Sequence, residues 1–143
     1  LRALESRNAA TVAKHLVMTG RYLELDPQFA LEHAVAASRS AGRISAVREA
    51  VGVAAYVAED YELALRELRT HRRISGSLDH LALLVDCERA LNRISKALDM
   101  IEEAKREELP AQVRVELAIV ESGIYAQIRA KNRKRYRPFK FRS

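Results

Sequence analysis

Apolar residues in the stretch 47–58 recur at Val47, Val51, Ala54 and Ala58. The spacing i, i+4, i+7, i+11 is one face of an α-helix. Thirty-three residues on, the register reads His80, Leu84, Cys87 and Leu91, and 33 further on it reads Val113, Leu117, Val120 and Ile124. His80 alone among these is not apolar. A second stripe, Tyr61, Ala64, Leu65 and Leu68, returns at the same interval as Ile94, Ala97, Leu98 and Ile101. Two stripes with one period are the pattern of stacked helical hairpins, each burying a face that its neighbour covers.

The residues between the stripes fit the same units. Asp60 stands before Tyr61, where a carboxylate can cap free N–H groups. Ser75-Gly76-Ser77 interrupts the pattern, and Asn92-Arg93 separates the next two stripes. Asp26-Pro27 pairs a capping residue with proline at the first helical position, and Pro110 opens a later helix in the same way. Upstream, Ala9, Val12, Ala13, Leu16 and Val17 outline a less regular apolar face, and Leu31, Ala34, Val35 and Ser38 another. The spacing predicts seven helices, at residues 4–24, 27–41, 44–59, 61–74, 78–91, 94–106 and 110–128. No stretch alternates with period two. The expected fold is all-α: a right-handed solenoid of antiparallel hairpins (4–41, 44–74 and 78–106) followed by an unpaired helix, 110–128. Together residues 1–128 make one domain.

Composition supports helix, since glycine, proline and aromatics are scarce. Charge adds a division. The net charge is +6, but eight of the 25 basic residues lie in 129–143, leaving 17 against all 19 acidic ones in the body. A nearly neutral body therefore precedes a basic tail, 129–143. That tail, RAKNRKRYRPFKFRS, uses three of the chain's six lysines. Leu1 at the first position, with no leader pattern behind it, reads as a fragment or a processed product. Cys87 is the single cysteine, which points to a reducing, cytoplasmic setting. No apolar run reaches the length of a membrane span.

The segment VREAVGVAAYVAEDYELALREL, residues 47–68, resembles a tetratricopeptide repeat (TPR). Gly52 matches the small residue mid-way along the first helix of such a unit, and Tyr56 the aromatic near its end. Asp60, Tyr61 and Ala64 match the turn and the small residue that follows. The next unit keeps Ala97 but has Val85 for the glycine and Asn92-Arg93-Ile94 for the turn. Arg48 and Leu81 stand where a Trp is frequent. The resemblance covers about residues 45–104, and the whole chain looks similar to bacterial TPR proteins rich in Ala and Arg. It implies protein–protein recognition on a concave face lined by the first helix of each unit. Carried onto this chain, that face holds Glu49, Val53, Tyr56, Val57, Ala82, Asp86 and Arg89. The Lys and Asn of the subgroup that binds chaperone tails are replaced by Glu49 and Val53, so a C-terminal carboxylate is not the expected ligand.

Catalytic chemistry is not signalled. His15, His33, His71 and His80 are scattered, none at a spacing that gathers metal ligands on one helix. Cys87 falls on the core stripe and reads as an inert buried thiol. Glu102, Glu103, Glu107 and Glu108 surround Lys105 and Arg106 and read as a solvated helix end. No phosphate-binding or nucleophile-elbow motif occurs. The expectation is a non-enzymatic interaction module with no cofactor and no metal. It binds a protein or peptide on the concave face, or through a last helix whose stripe Val113, Leu117, Val120 and Ile124 lies exposed. That stripe would be covered by a partner, another copy of the chain or the tail. The period demands a partner helix beginning near Gln127, yet the chain offers Ala130, Lys131 and Lys134 there. The alternative is nucleic-acid binding by the tail, with Arg133, Lys134, Arg135, Tyr136 and Arg137 as contacts.

Overall fold

The computed structural model describes residues 2–135, with side chains from residue 5 onward. Its seven helices are α1 (Arg2–Tyr22), α2 (Pro27–Ala41), α3 (Ser45–Val57), α4 (Tyr61–Ser75), α5 (Leu81–Ala90), α6 (Ile94–Lys105) and α7 (Ala111–Arg135). No strand occurs among the described residues. The chain is all-α, and no helix described here is long and apolar enough to cross a membrane. Each helix packs on the next, and α1 on α3 and α5 on α7 pack as well. This order of contacts is compatible with a helical-repeat stack.

Local chemistry sets the ends of the elements. The Asp26 carboxylate accepts from the Phe29 N–H at 3.1 Å, with Pro27 in the first turn. Asp60 accepts from the Leu63 N–H at 3.3 Å. Gly76 ends α4 at φ 70°, and its N–H donates to the Arg72 carbonyl. The 33-residue period extends to the backbone. Glu59 and Asn92 both have positive φ, 64° and 63°. Beside them, the Asp60 N–H donates to the Ala55 carbonyl and the Arg93 N–H to the Glu88 carbonyl, each at 2.8 Å. The α3–α4 and α5–α6 hairpins are therefore closed by the same left-handed turn.

The core forms in layers. Leu31, Ala34, Val51, Ala54, Leu65, Leu68, Leu84 and Cys87 join α2 to α5. Leu81, Val85, Ala97, Ile101, Leu109, Val113, Leu117 and Ile124 join α5 to α7. Helix α5 supplies both layers from its two sides. At the α3–α4 crossing, a Cβ on Gly52 would sit 2.6 Å from Leu68 Cδ2, so the close approach requires glycine. The face expected on α1 is only partly used: Val12 is buried and Leu16 half-buried, whereas Ala9, Ala13 and Val17 are exposed. Helix α1 packs on α2 and on part of α3. Nothing among the described residues covers its other side.

Two expectations about the C-terminal end are corrected. The stripe Val113, Leu117, Val120 and Ile124 is not exposed: Val113, Leu117 and Ile124 are buried and Val120 is half-buried. It faces inward because α7 packs on α5 and α6. Elsewhere around α7, Val115, Ile119 and Tyr125 are exposed. Nor does α7 stop at residue 128. It continues through Arg135, because residues 129–135 contain no helix breaker and their cations suit the negative end of a helix dipole.

The left-handed turn generates a prediction. Glu59→Gly should raise stability by about 0.5–1 kcal/mol, because an L side chain is strained in that region and glycine is not. Asn92→Gly should gain less, since Asn tolerates the conformation. Urea midpoints at unchanged slope measure both.

Candidate functional site

The residues expected on the concave face come together, but largely to satisfy one another. The Tyr56 hydroxyl of α3 donates to an Asp86 carboxylate oxygen on α5. The Arg89 Nε donates to the other oxygen of Asp86. A further Arg89 N–H donates to Gln127 Oε1 of α7 at 3.2 Å. A chain of polar contacts thus crosses α3, α5 and α7. Ala82 is buried, and Val53 and Val57 are half-buried. Glu49 belongs to a different group, described below.

Electrostatics within this chain of contacts is asymmetric. Burial pushes the Tyr56 phenol well above its ordinary value, and the Asp86 carboxylate that accepts its hydrogen bond pushes it further. Burial also pushes Asp86 upward, but hydrogen bonds from Arg89 and Tyr56 outweigh it and hold the carboxyl below its ordinary value. Next to Asp86, Cys87 is completely buried. Its thiol is pushed up to about 12, first by burial and then by the charges of Asp86 and Glu88. A thiol in that setting is not a nucleophile.

Three residues that the sequence does not bring together converge at one end of the α3–α4–α5 layer. Glu49 Oε2 lies 3.3 Å from His71 Nε2 and 3.0 Å from His80 Nε2. The three ligand atoms all fall within 4.8 Å of one another. His71 is buried in the last turns of α4, His80 caps α5 and is half-buried, and Glu49 is the most open of the three. The His71 Nδ1 is 3.0 Å from the Ser45 carbonyl and 2.9 Å from the Ser45 hydroxyl. A carbonyl only accepts, so Nδ1 carries a proton, and in the neutral ring Nε2 presents its lone pair. The signal in the sequence was His80 itself, the single polar residue in a register otherwise apolar. A second histidine pair joins α1 to α2, with His15 Nδ1 2.9 Å from His33 Nδ1.

The side of α7 that lacks a partner forms a groove of about 420 Å³ against α6. Ile101, Ala104, Leu109, Leu117, Ala118 and Tyr125 give it an apolar floor, and Lys105, Glu107, Arg114 and Glu121 rim it. Lys105 donates to Glu121 at 3.1 Å across one edge. Of the expected nucleic-acid contacts, Arg133, Lys134 and Arg135 are exposed at the end of α7, and Tyr136 and Arg137 lie outside the described residues. Comparison with protein-family models, curated proteins and solved structures found no match to this chain.

The Asp86 contacts set the direction of a pH effect. A carboxyl held low in the folded state stabilises above its unfolded value of about 3.9, and that contribution disappears as pH falls through the folded value. Asp86→Asn should lower stability at pH 7 by about 1–3 kcal/mol. It should also flatten the loss of stability below about pH 4 relative to the parent chain. Thermal melts of both proteins from pH 7 to pH 2 measure the difference.

Proposed function

We propose that this chain is a non-enzymatic, TPR-like interaction module that receives an amphipathic helix in the groove between α6 and α7. The observation that carries the reading is the groove itself. It lies on the open side of the last helix, where a repeat with this period would seat its next helix. The chain instead runs straight on through Arg135. Ala118 and Ser122 are small, exposed residues beside the groove floor, so another backbone can approach closely. Exposed apolar side chains at Val115, Ile119 and Tyr125 extend the surface around α7. Such helix-in-groove binding is read by apolar anchors at helical spacing on the partner. The partner is a helix of another protein or of a second copy of this chain. The concave face supports the reading less, since Tyr56, Asp86 and Arg89 already bond to one another. A cytoplasmic setting accords with the single cysteine, which is buried and free.

A second reading rests on the end of α7. Arg129, Lys131, Arg133, Lys134 and Arg135 are all exposed on one uninterrupted helix, with no acidic residue among them. Such an extension would attract nucleic-acid phosphates and release their counterions.

Two experiments test these readings. A photo-crosslinking side chain at position 118 of the full chain, activated in the producing cells, should trap one helix with an apolar stripe. Ala118→Arg should reduce recovery of a partner caught by a crosslinker at position 125 about tenfold or more, because a charge is driven into an apolar seat. Adducts scattered over segments without such a stripe, or recovery unchanged by Ala118→Arg, would discard the groove. For the second reading, affinity for single-stranded RNA should fall roughly tenfold or more between low and moderate salt, and most of it should vanish without residues 129–143. Weak binding with no salt dependence would discard it.

A further inference from the structure

Beyond partner binding, we infer that Glu49, His71 and His80 form a binding site for a divalent transition-metal ion of the zinc class. The first ground is geometry. Tetrahedral zinc with nitrogen and oxygen ligands places neighbouring ligand atoms about 3.3 Å apart. Glu49 Oε2 lies 3.3 Å from His71 Nε2 and 3.0 Å from His80 Nε2. The third edge, between the two imidazole nitrogens, is within 4.8 Å and must shorten for both rings to bind one ion.

The second ground is the His71 ring. Its side chain is 7% exposed, and its Nε2 has no hydrogen-bond partner. The Ser45 carbonyl holds a proton on Nδ1, so in the neutral ring a buried Nε2 lone pair lies 3.3 Å from a carboxylate oxygen with no hydrogen bond between them. Two electron-rich atoms at that separation repel unless a proton or a metal cation lies between them. Orientation of a ligating histidine by a backbone carbonyl on its other nitrogen is the usual support of a zinc ligand. His80 Nε2 donates to Glu49 Oε2 at 3.0 Å, so His80 joins by shifting that proton to Nδ1, which frees Nε2 without net proton release.

The third ground is the donor set. Two imidazoles and one carboxylate are borderline ligands that suit zinc better than magnesium or calcium. Three protein ligands leave a fourth position, and it opens on the side of Glu49, whose side chain is 42% exposed. The ion would join α3, the end of α4 and the start of α5.

The test uses the full chain after treatment with a chelator. Zn²⁺ is titrated in competition with a chromophoric chelator, and Co²⁺ is titrated while visible absorption is recorded. The expected result is one ion per chain, with the intense visible bands of a four- or five-coordinate cobalt site. His80→Gln and Glu49→Gln, both at partly exposed positions, should each weaken Zn²⁺ binding by more than about 100-fold, beyond the effect of losing an outer-shell partner. Far-ultraviolet circular dichroism checks that both variants remain folded. Should either fail to fold, protection of the imidazoles of the parent chain from diethyl pyrocarbonate by Zn²⁺ gives the same reading. His80, the more open of the two imidazoles, should then be shielded and His33 should not. Three results overturn the inference: absence of stoichiometric binding, because the site accepts only a proton; binding that survives both substitutions; or binding that moves with His15→Gln instead.

Discussion

A carboxylate with no exposure to solvent lies at the centre of this fold. Glu88 of α5 is fully buried, and removing its charge from water costs several kcal/mol unless cations meet it. Arg69 of α4 donates to Oε1 at 2.9 Å. Arg93 faces Oε2 at 3.5 Å without a hydrogen bond, and Lys96 reaches Oε1 at 3.6 Å. These cations keep their outer parts in water, so they form a charged cover over the carboxylate. They come from α4, from the turn before α6 and from α6. The pairing therefore fixes α5 against both neighbours. The α3–α4 hairpin uses a related device, with buried Glu67 accepting from Arg48 at 2.7 Å.

This constraint explains the position of α5. The helix is only ten residues long, and six of them are buried. Its two apolar sides feed two core layers, and its polar residues Asp86 and Arg89 reach sideways to Tyr56 and Gln127. The layers on either side inherit their register from it. Both ends of the stack are less complete. Helix α1 leaves part of its apolar face in water, and α7 leaves a groove beside α6.

Much of this was legible in the sequence. The stripe at Val47, Val51 and Ala54 and its copies located the helices to within a few residues, apart from the end of α7, because burial and the helical period act over short distances. Asp26, Asp60 and Gly76 act as the caps their chemistry demands. The identical turns at Glu59 and Asn92 extend the period to backbone angles, although neither residue is the glycine that such a turn favours. The sequence misled where a long-range fact decided the outcome. Val113, Leu117 and Ile124 are buried because α7 lies on α5 and α6, which no local pattern reveals. The continuation of α7 through Arg135 was hidden by the composition of its end. Basic residues resemble a disordered arm, yet they are also good helix formers. The meeting of Glu49, His71 and His80 depends on how three helices cross, and their separation in the chain gives no hint of it.

The burial of Cys87 has a consequence for watching this protein move. The thiol sits on the layer joining α2 to α5, has no exposed surface and resists ionisation. An alkylating reagent can reach it only when helices around α5 separate. The rate of modification is then a clock for opening at the middle of the stack, and fraying of α1 or of the end of α7 leaves it silent. A single native residue thus separates motion of the whole layered body from motion at its ends, without any added label.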